Sequence, residues 1–117
     1  MKHFVTHEFD SPDEKGSGVN MQKSTLEMLD KAREKASIPF VITSGFRTVS
    51  RNILVGGVSD SSHTKGCAVD IACRDSVNRY LIINAAIYAG FNRIGISSKF
   101  IHLDNDPDKP KNVIWTY

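Results

Sequence analysis

Two imidazoles and a carboxylate can make a hydrolytic metal centre, and this chain carries His63, Asp70 and His102 in segments able to bring them together. His63 sits in Ser61-Ser62-His63-Thr64-Lys65-Gly66, where the glycine permits a sharp turn into a strand. In Ala68-Val69-Asp70-Ile71-Ala72, strand alternation puts Ala68, Asp70 and Ala72 on one face and Val69 and Ile71 on the other. Asp70 is then a carboxylate in an apolar strand, flanked by small residues that leave room around it. A buried carboxylate must be paired or bind a metal. Phe100-Ile101-His102-Leu103-Asp104 alternates in the same way, so His102 and Asp104 share a face. Two histidines and one carboxylate suit zinc and leave a fourth position for water, whose pKa the metal can bring to about 7. The plainer alternatives are a loop histidine and a strand aspartate held by backbone amides, and a core histidine.

The elements that must position these residues follow from the periodicity. Residues 1–20 are polar and rich in turn formers, which predicts an irregular N-terminal arm. Residues 21–36 show a helical spacing of Met21, Leu26, Met28, Leu29 and Ala32, and Ser37-Ile38-Pro39 ends the helix. The run 40–44 reads as a strand, 47–62 as a long loop carrying Gly56-Gly57, and 68–72 as a second strand. Asp75 or Ser76 can cap a helix to about Ala89, with Val77, Leu81, Ile82, Ala85 and Tyr88 available for packing and Gly90 as its stop. Residues 93–97 and 100–104 form a strand pair, and 112–117 add a last strand. This order predicts an α+β fold: a small antiparallel sheet with two main helices, in one domain spanning 21–117 behind the arm.

Composition narrows the function. The chain has 117 residues, 40% hydrophobic and 24% charged, as in an ordinary globular domain. With 15 basic and 13 acidic residues the net charge is +2, too even to indicate a nucleic-acid partner. No apolar run is long enough to span a bilayer and no secretory h-region opens the chain, so no membrane partner and a cytoplasmic site of synthesis are expected. Cys67 and Cys73 flank a strand. Six residues of strand span roughly 20 Å, against the ~6 Å between alpha carbons that a disulfide requires. Both are expected to be buried thiols.

His63-x-x-Gly66-x-Ala68-x-Asp70 followed by His102-x-Asp104 resembles the zinc D-Ala-D-Ala carboxypeptidase superfamily, which holds bacterial D,D-peptidases, D-Ala-D-Ala dipeptidases and phage L-alanyl-D-glutamate endolysins. Ser44-Gly45-Phe46-Arg47, Val55-Gly56-Gly57, Ser61-x-His63 and Gly90-Phe91 are similar to its small single-domain branch, so the likeness runs from about Met21 to Trp115. The resemblance implies a hedgehog/D,D-peptidase-like fold, with His63, Asp70 and His102 as zinc ligands. It implies that Arg47 stabilises a substrate carbonyl or carboxylate, and it makes Ser61 a substrate-binding candidate. Many relatives carry Asp or Glu three residues before the second zinc histidine as the general base. Here that position is Lys99, so Asp104 becomes the candidate base, with orientation of His102 as its other role.

The function expected from this reading is zinc-dependent hydrolysis of peptidoglycan stem peptides, of the D,D-carboxypeptidase or the endopeptidase (endolysin) type, by a monomer. A chain acting as a phage lysin would reach the wall after release from the cell. The rival is a non-catalytic zinc-containing binding module of the same fold, as the hedgehog signalling domain is.

Overall fold

Alternating aliphatic positions decide the layers. In a computed structural model that describes all 117 residues, Val69, Ile71, Ile94, Ile101 and Leu103 turn to one side of a sheet and are buried. The five strands are β1 (Ile42–Ser44), β2 (Ala68–Ala72), β3 (Arg93–Ile96), β4 (Phe100–Asp104) and β5 (Val113–Thr116). They lie in the order β1-β2-β4-β3-β5. All pairs are antiparallel except β3–β5, which is parallel. That last pairing amends the expectation of a purely antiparallel sheet. β4 ends at the edge of the sheet where β3 begins, so the short connection across that edge enters β5 running the same way as β3.

Two long helices cover the apolar face. α1 (Lys23–Ala36) buries Thr25, Leu29, Ala32 and Ala36, a helical stripe. A second long helix, Ser76–Ala89, starts where the Asp75 carboxylate accepts from Asn78 N at 2.9 Å and stops at Gly90. It buries Ile82, Ala85, Ala86 and Ala89, while Val77 and Tyr88, expected to pack, are exposed. Ile82 and Ala85 are buried as expected, and Ala86 and Ala89 extend the stripe that faces the core.

One expectation about an irregular segment is corrected. The loop read at 47–62 contains a short helix, α2 (Val49–Leu54), capped where Arg51 N donates to Thr48 Oγ1 at 3.1 Å. The long helix that follows it is therefore α3. Residues 1–20 contain no α-helix or strand. They make two 3-10 turns, Thr6–Phe9 and Ser17–Asn20, and Phe4 and Phe9 enter the core. Full burial of a phenylalanine contributes about 1.5–3 kcal/mol to holding the segment against the core. Phe46 N also donates to Phe9 O at 2.9 Å, so the segment braces the end of β1. No helix is long and apolar enough to cross a membrane.

The loop that bears His63 is tied to the chain beyond β4 by a buried carboxylate. Asp106, 1% exposed, accepts from Ser62 Oγ at 2.7 Å, Lys65 Nζ at 3.0 Å and Asp108 N at 3.0 Å. Burial alone would raise its pKa, but the Ser62 hydroxyl, the Asp108 N–H and the Lys65 ammonium outweigh it and lower it to about 2. Asp106→Ala should cost on the order of 2–3 kcal/mol, because it strands donors that the carboxylate satisfies. A depressed carboxylate pKa stabilises the fold above the unfolded-state value and loses that contribution as pH falls through the folded one. Urea unfolding should therefore show the gap between wild type and variant at full size above about pH 4 and closing towards pH 2.

Candidate metal centre

One transverse row of the sheet builds the site. Strand register places Ser44 opposite Asp70, Asp70 opposite His102, His102 opposite Gly95, and Gly95 opposite Trp115. These residues face away from the helices. Gly95 is a necessity of the row. A Cβ there would lie 2.7 Å from Trp115 Nε1, so only glycine lets the indole lie flat across β3 and bring its ring centroid within 5.5 Å of that of His102.

His63 arrives from the loop and is locked by backbone. Its Nδ1 donates to Gly45 O at 2.9 Å, since a carbonyl only accepts, and this leaves Nε2 as the free nitrogen. Arg47 N donates to His63 O at 3.1 Å, which joins the loop to the end of β1. Gly66, the motif glycine, takes φ +73, the left-handed turn expected of it.

Three ligand atoms converge. Asp70 Oδ1 lies 3.4 Å from His63 Nε2 and 2.9 Å from His102 Nδ1, and the atoms that could hold a metal all lie within 4.8 Å of one another. Tetrahedral zinc with bonds of about 2.0–2.1 Å places its ligand atoms roughly 3.3 Å apart, so the donor set fits the ion in chemistry and spacing. Electrostatics point the same way. Burial would raise the Asp70 pKa, but hydrogen bonds with His102 and His63 hold its carboxyl well below the usual range. Burial disfavours charge on His102, yet Asp104 and Asp70 outweigh it and raise the ring's pKa. The centre thus holds an ionised Asp70 carboxylate between two imidazoles.

Asp104 lies on the far side of His102 from Asp70. His102 Nε2 is 2.7 Å from Asp104 Oδ2, and Oδ1 accepts from Arg93 Nε at 2.8 Å and from Asp106 N at 3.1 Å. The side chain is 1% exposed. Burial again opposes ionisation, and His102, Asp106 N–H and Arg93 hold the pKa down. Both carboxylate oxygens are engaged, and the contact with His102 Nε2 is one that orients the ring. The reason is the two-residue spacing: it puts Asp104 beside His102 on one strand face, where it reaches the ring's outer nitrogen.

Arg47 stands beside Asp70. Its Nη2 lies 4.0 Å from Asp70 Oδ2 and donates to Ser44 Oγ at 3.1 Å. Burial lowers its pKa, opposed by Asp70. Ser61 lines the cleft, but its hydroxyl accepts from His63 N at 3.2 Å, so it shapes the histidine's turn. Cys67 and Cys73 are both free and buried, and burial pushes the Cys67 thiol up to about 11, which removes it as a nucleophile. His3 is bound to Glu34 at 2.7 Å, away from the centre.

Arg93 was not singled out from the sequence. It holds Asp104, donates to Pro110 O through Nη1, and lies under Trp115 with its Cζ 5.0 Å from the ring centroid. A signal existed: a carboxylate buried at Asp104 needs a cation, and Arg93 precedes Gly95 by two on a strand whose alternate positions are isoleucine.

Residues 2–104 match the family model described as peptidase M15. The chain belongs to that family. M15 is the zinc D-Ala-D-Ala carboxypeptidase superfamily that the motifs resemble, so the chain is a metallopeptidase of a zinc-dependent group whose His-Asp-His cluster could hold the ion. The match includes the N-terminal turns and ends at Asp104, before Lys109 and β5 with Trp115 and Tyr117. No curated protein matches the chain.

Proposed function

We infer that this M15 peptidase cleaves the peptide stems of peptidoglycan, with His63 Nε2, Asp70 Oδ1 and His102 Nδ1 holding zinc. The observation that carries the reading is the convergence of those three atoms in an open cleft of about 410 Å³, with the Arg47 guanidinium at its side and Trp115 and Tyr117 along its wall. Zinc bound there supplies an acidified water and polarises a carbonyl. The protein's groups do the rest. Arg47 presents fixed N–H donors to the oxygen that gains charge. Asp104 holds the proton on His102 Nε2, so that Nδ1 stays directed at Asp70, and Arg93 holds Asp104. Trp115 shields this relay from water.

Asp104→Asn separates the two roles. As an orienting residue it should weaken zinc binding and hydrolysis together, roughly 10–100-fold. A base would instead lose hydrolysis at unchanged zinc affinity. Titration against a competing chelator, beside rate measurements, reads the difference.

Digestion of purified muropeptides followed by mass spectrometry tests the function itself. Loss of one terminal alanine would mark a carboxypeptidase, and an internal cut an endopeptidase. The second reading, a zinc-holding binding module, draws on one observation: the cleft's two carboxylates, Asp70 and Asp104, are both engaged. Zinc at one per chain with every muropeptide left intact would favour it and sink the peptidase reading of this substrate.

A further inference from the structure

The short helix α2 is built inside out. Val49, Ile53 and Leu54 are 68%, 73% and 75% exposed, while Asn52 on the same helix is 4% exposed. A surface helix ordinarily buries its apolar side, so the interior partners of Asn52 decide how α2 sits. Both ends of its amide are engaged. Arg47 Nη1 donates to Oδ1 at 3.0 Å, and Nδ2 donates to Val58 O at 2.8 Å. The orientation of the amide is forced, because a guanidinium only donates and a carbonyl only accepts. Gly57 N donates to Asn52 O at 2.8 Å, which lays Gly57 directly on the amide. A Cβ on Gly57 would fall 1.9 Å from Asn52 Oδ1 and 3.0 Å from Arg47 Nη1. The guanidinium's other arm, Nη2, rests on Ser44 Oγ and looks towards Asp70.

An arginine carries long, flexible torsions, and ordering it costs rotamer entropy. Here that ordering is complete before any substrate arrives. Ser44 from the sheet and Asn52 from α2 grip separate nitrogens of one planar fork, and Gly57 closes over the grip. The helix, its inward asparagine and the Gly56-Gly57 turn form a single device with the arginine at its centre.

We propose that Asn52 is a positioning residue for hydrolysis: its Oδ1, backed by Gly57, fixes the Arg47 guanidinium beside the metal centre. The proposal rests on the reading that Arg47 meets the substrate. The competing role for Asn52 is structural closure of the α2–Gly57 turn through Val58 O.

Zinc content, kcat and KM on a soluble muropeptide decide between these for Asn52→Ala, Asn52→Asp, Gly57→Ala, Arg47→Ala and the Arg47→Ala/Asn52→Ala double variant. Asn52→Ala should lower kcat roughly 10–100-fold, as a misplaced catalytic group does, at unchanged zinc content. Asn52→Asp keeps an acceptor for Arg47 but sets a carboxylate oxygen against Val58 O, so it should recover part of the rate lost in Asn52→Ala while weakening the turn further. Gly57→Ala keeps the asparagine but drives a methyl against its Oδ1 and displaces the amide from Arg47, so it should lose rate as Asn52→Ala does. In the Arg47→Ala background, Asn52→Ala should change nothing further. A readout independent of turnover is guanidinium rotation by NMR in the metal-free protein, slow for Arg47 in wild type and fast in Asn52→Ala. A full Asn52→Ala effect in the Arg47→Ala background, or an Asn52→Asp variant no better than Asn52→Ala, would assign Asn52 to the turn and overturn the proposal. Impaired Arg47→Ala beside unimpaired Asn52→Ala overturns it alone, whereas unimpaired Arg47→Ala overturns the reading of Arg47 beneath it.

Discussion

Asp70→Asn should abolish zinc binding and hydrolysis together while leaving the fold intact. The amide keeps the shape of the carboxylate but not the charge that draws a dication between two imidazoles. Loss of an outer partner alone costs a metal site about 10–100-fold, so losing the central anionic ligand should exceed roughly 100-fold in affinity. The fold survives because Asp70 belongs to the cleft face of β2, while Val69 and Ile71 on the other face carry the packing. Metal analysis, hydrolysis and circular dichroism on one preparation check all three parts. A variant that kept stoichiometric zinc would remove Asp70 from the ligand set.

Arg47→Ala should keep the zinc and lose the chemistry. Removing one preorganised donor from a developing oxyanion costs about 10²–10³ in kcat, and Arg47 offers a fork already held by Ser44 and Asn52. Arg47→Lys should recover only a small part of the rate. A lysine ammonium is one compact charge on a flexible stem and cannot satisfy two partners and a substrate in one plane. The deciding pattern is a kcat that falls at full zinc occupancy. A rise in KM alone would reduce Arg47 to a ground-state binding group.

Much of the architecture was legible in local pattern. β2 and β4 alternate so strictly that their limits, Ala68–Ala72 and Phe100–Asp104, follow from the residues, and α3 carries its own start at Asp75 and stop at Gly90. The pairing of His102 with Asp104 on one face is likewise strand arithmetic. α2 was not legible, because six residues give too little periodicity and its apolar side chains face solvent. Nor was the place of Phe4 and Phe9, since nothing near them shows that their partners lie along the whole chain.

By itself, then, the sequence determined which residues could hold a metal and that a loop carries His63 and two strands carry Asp70 and His102, because residue chemistry and a period of two are local properties. The tertiary structure alone decided how they meet. Register across the sheet set Ser44, Asp70, His102, Gly95 and Trp115 in one row. The side of the imidazole that Asp104 occupies, the pairing of Arg93 with it and the grip of Asn52 on Arg47 were decided there too. Each depends on distances between segments far apart in the chain, fixed only when sheet, helices and N-terminal turns close on one core.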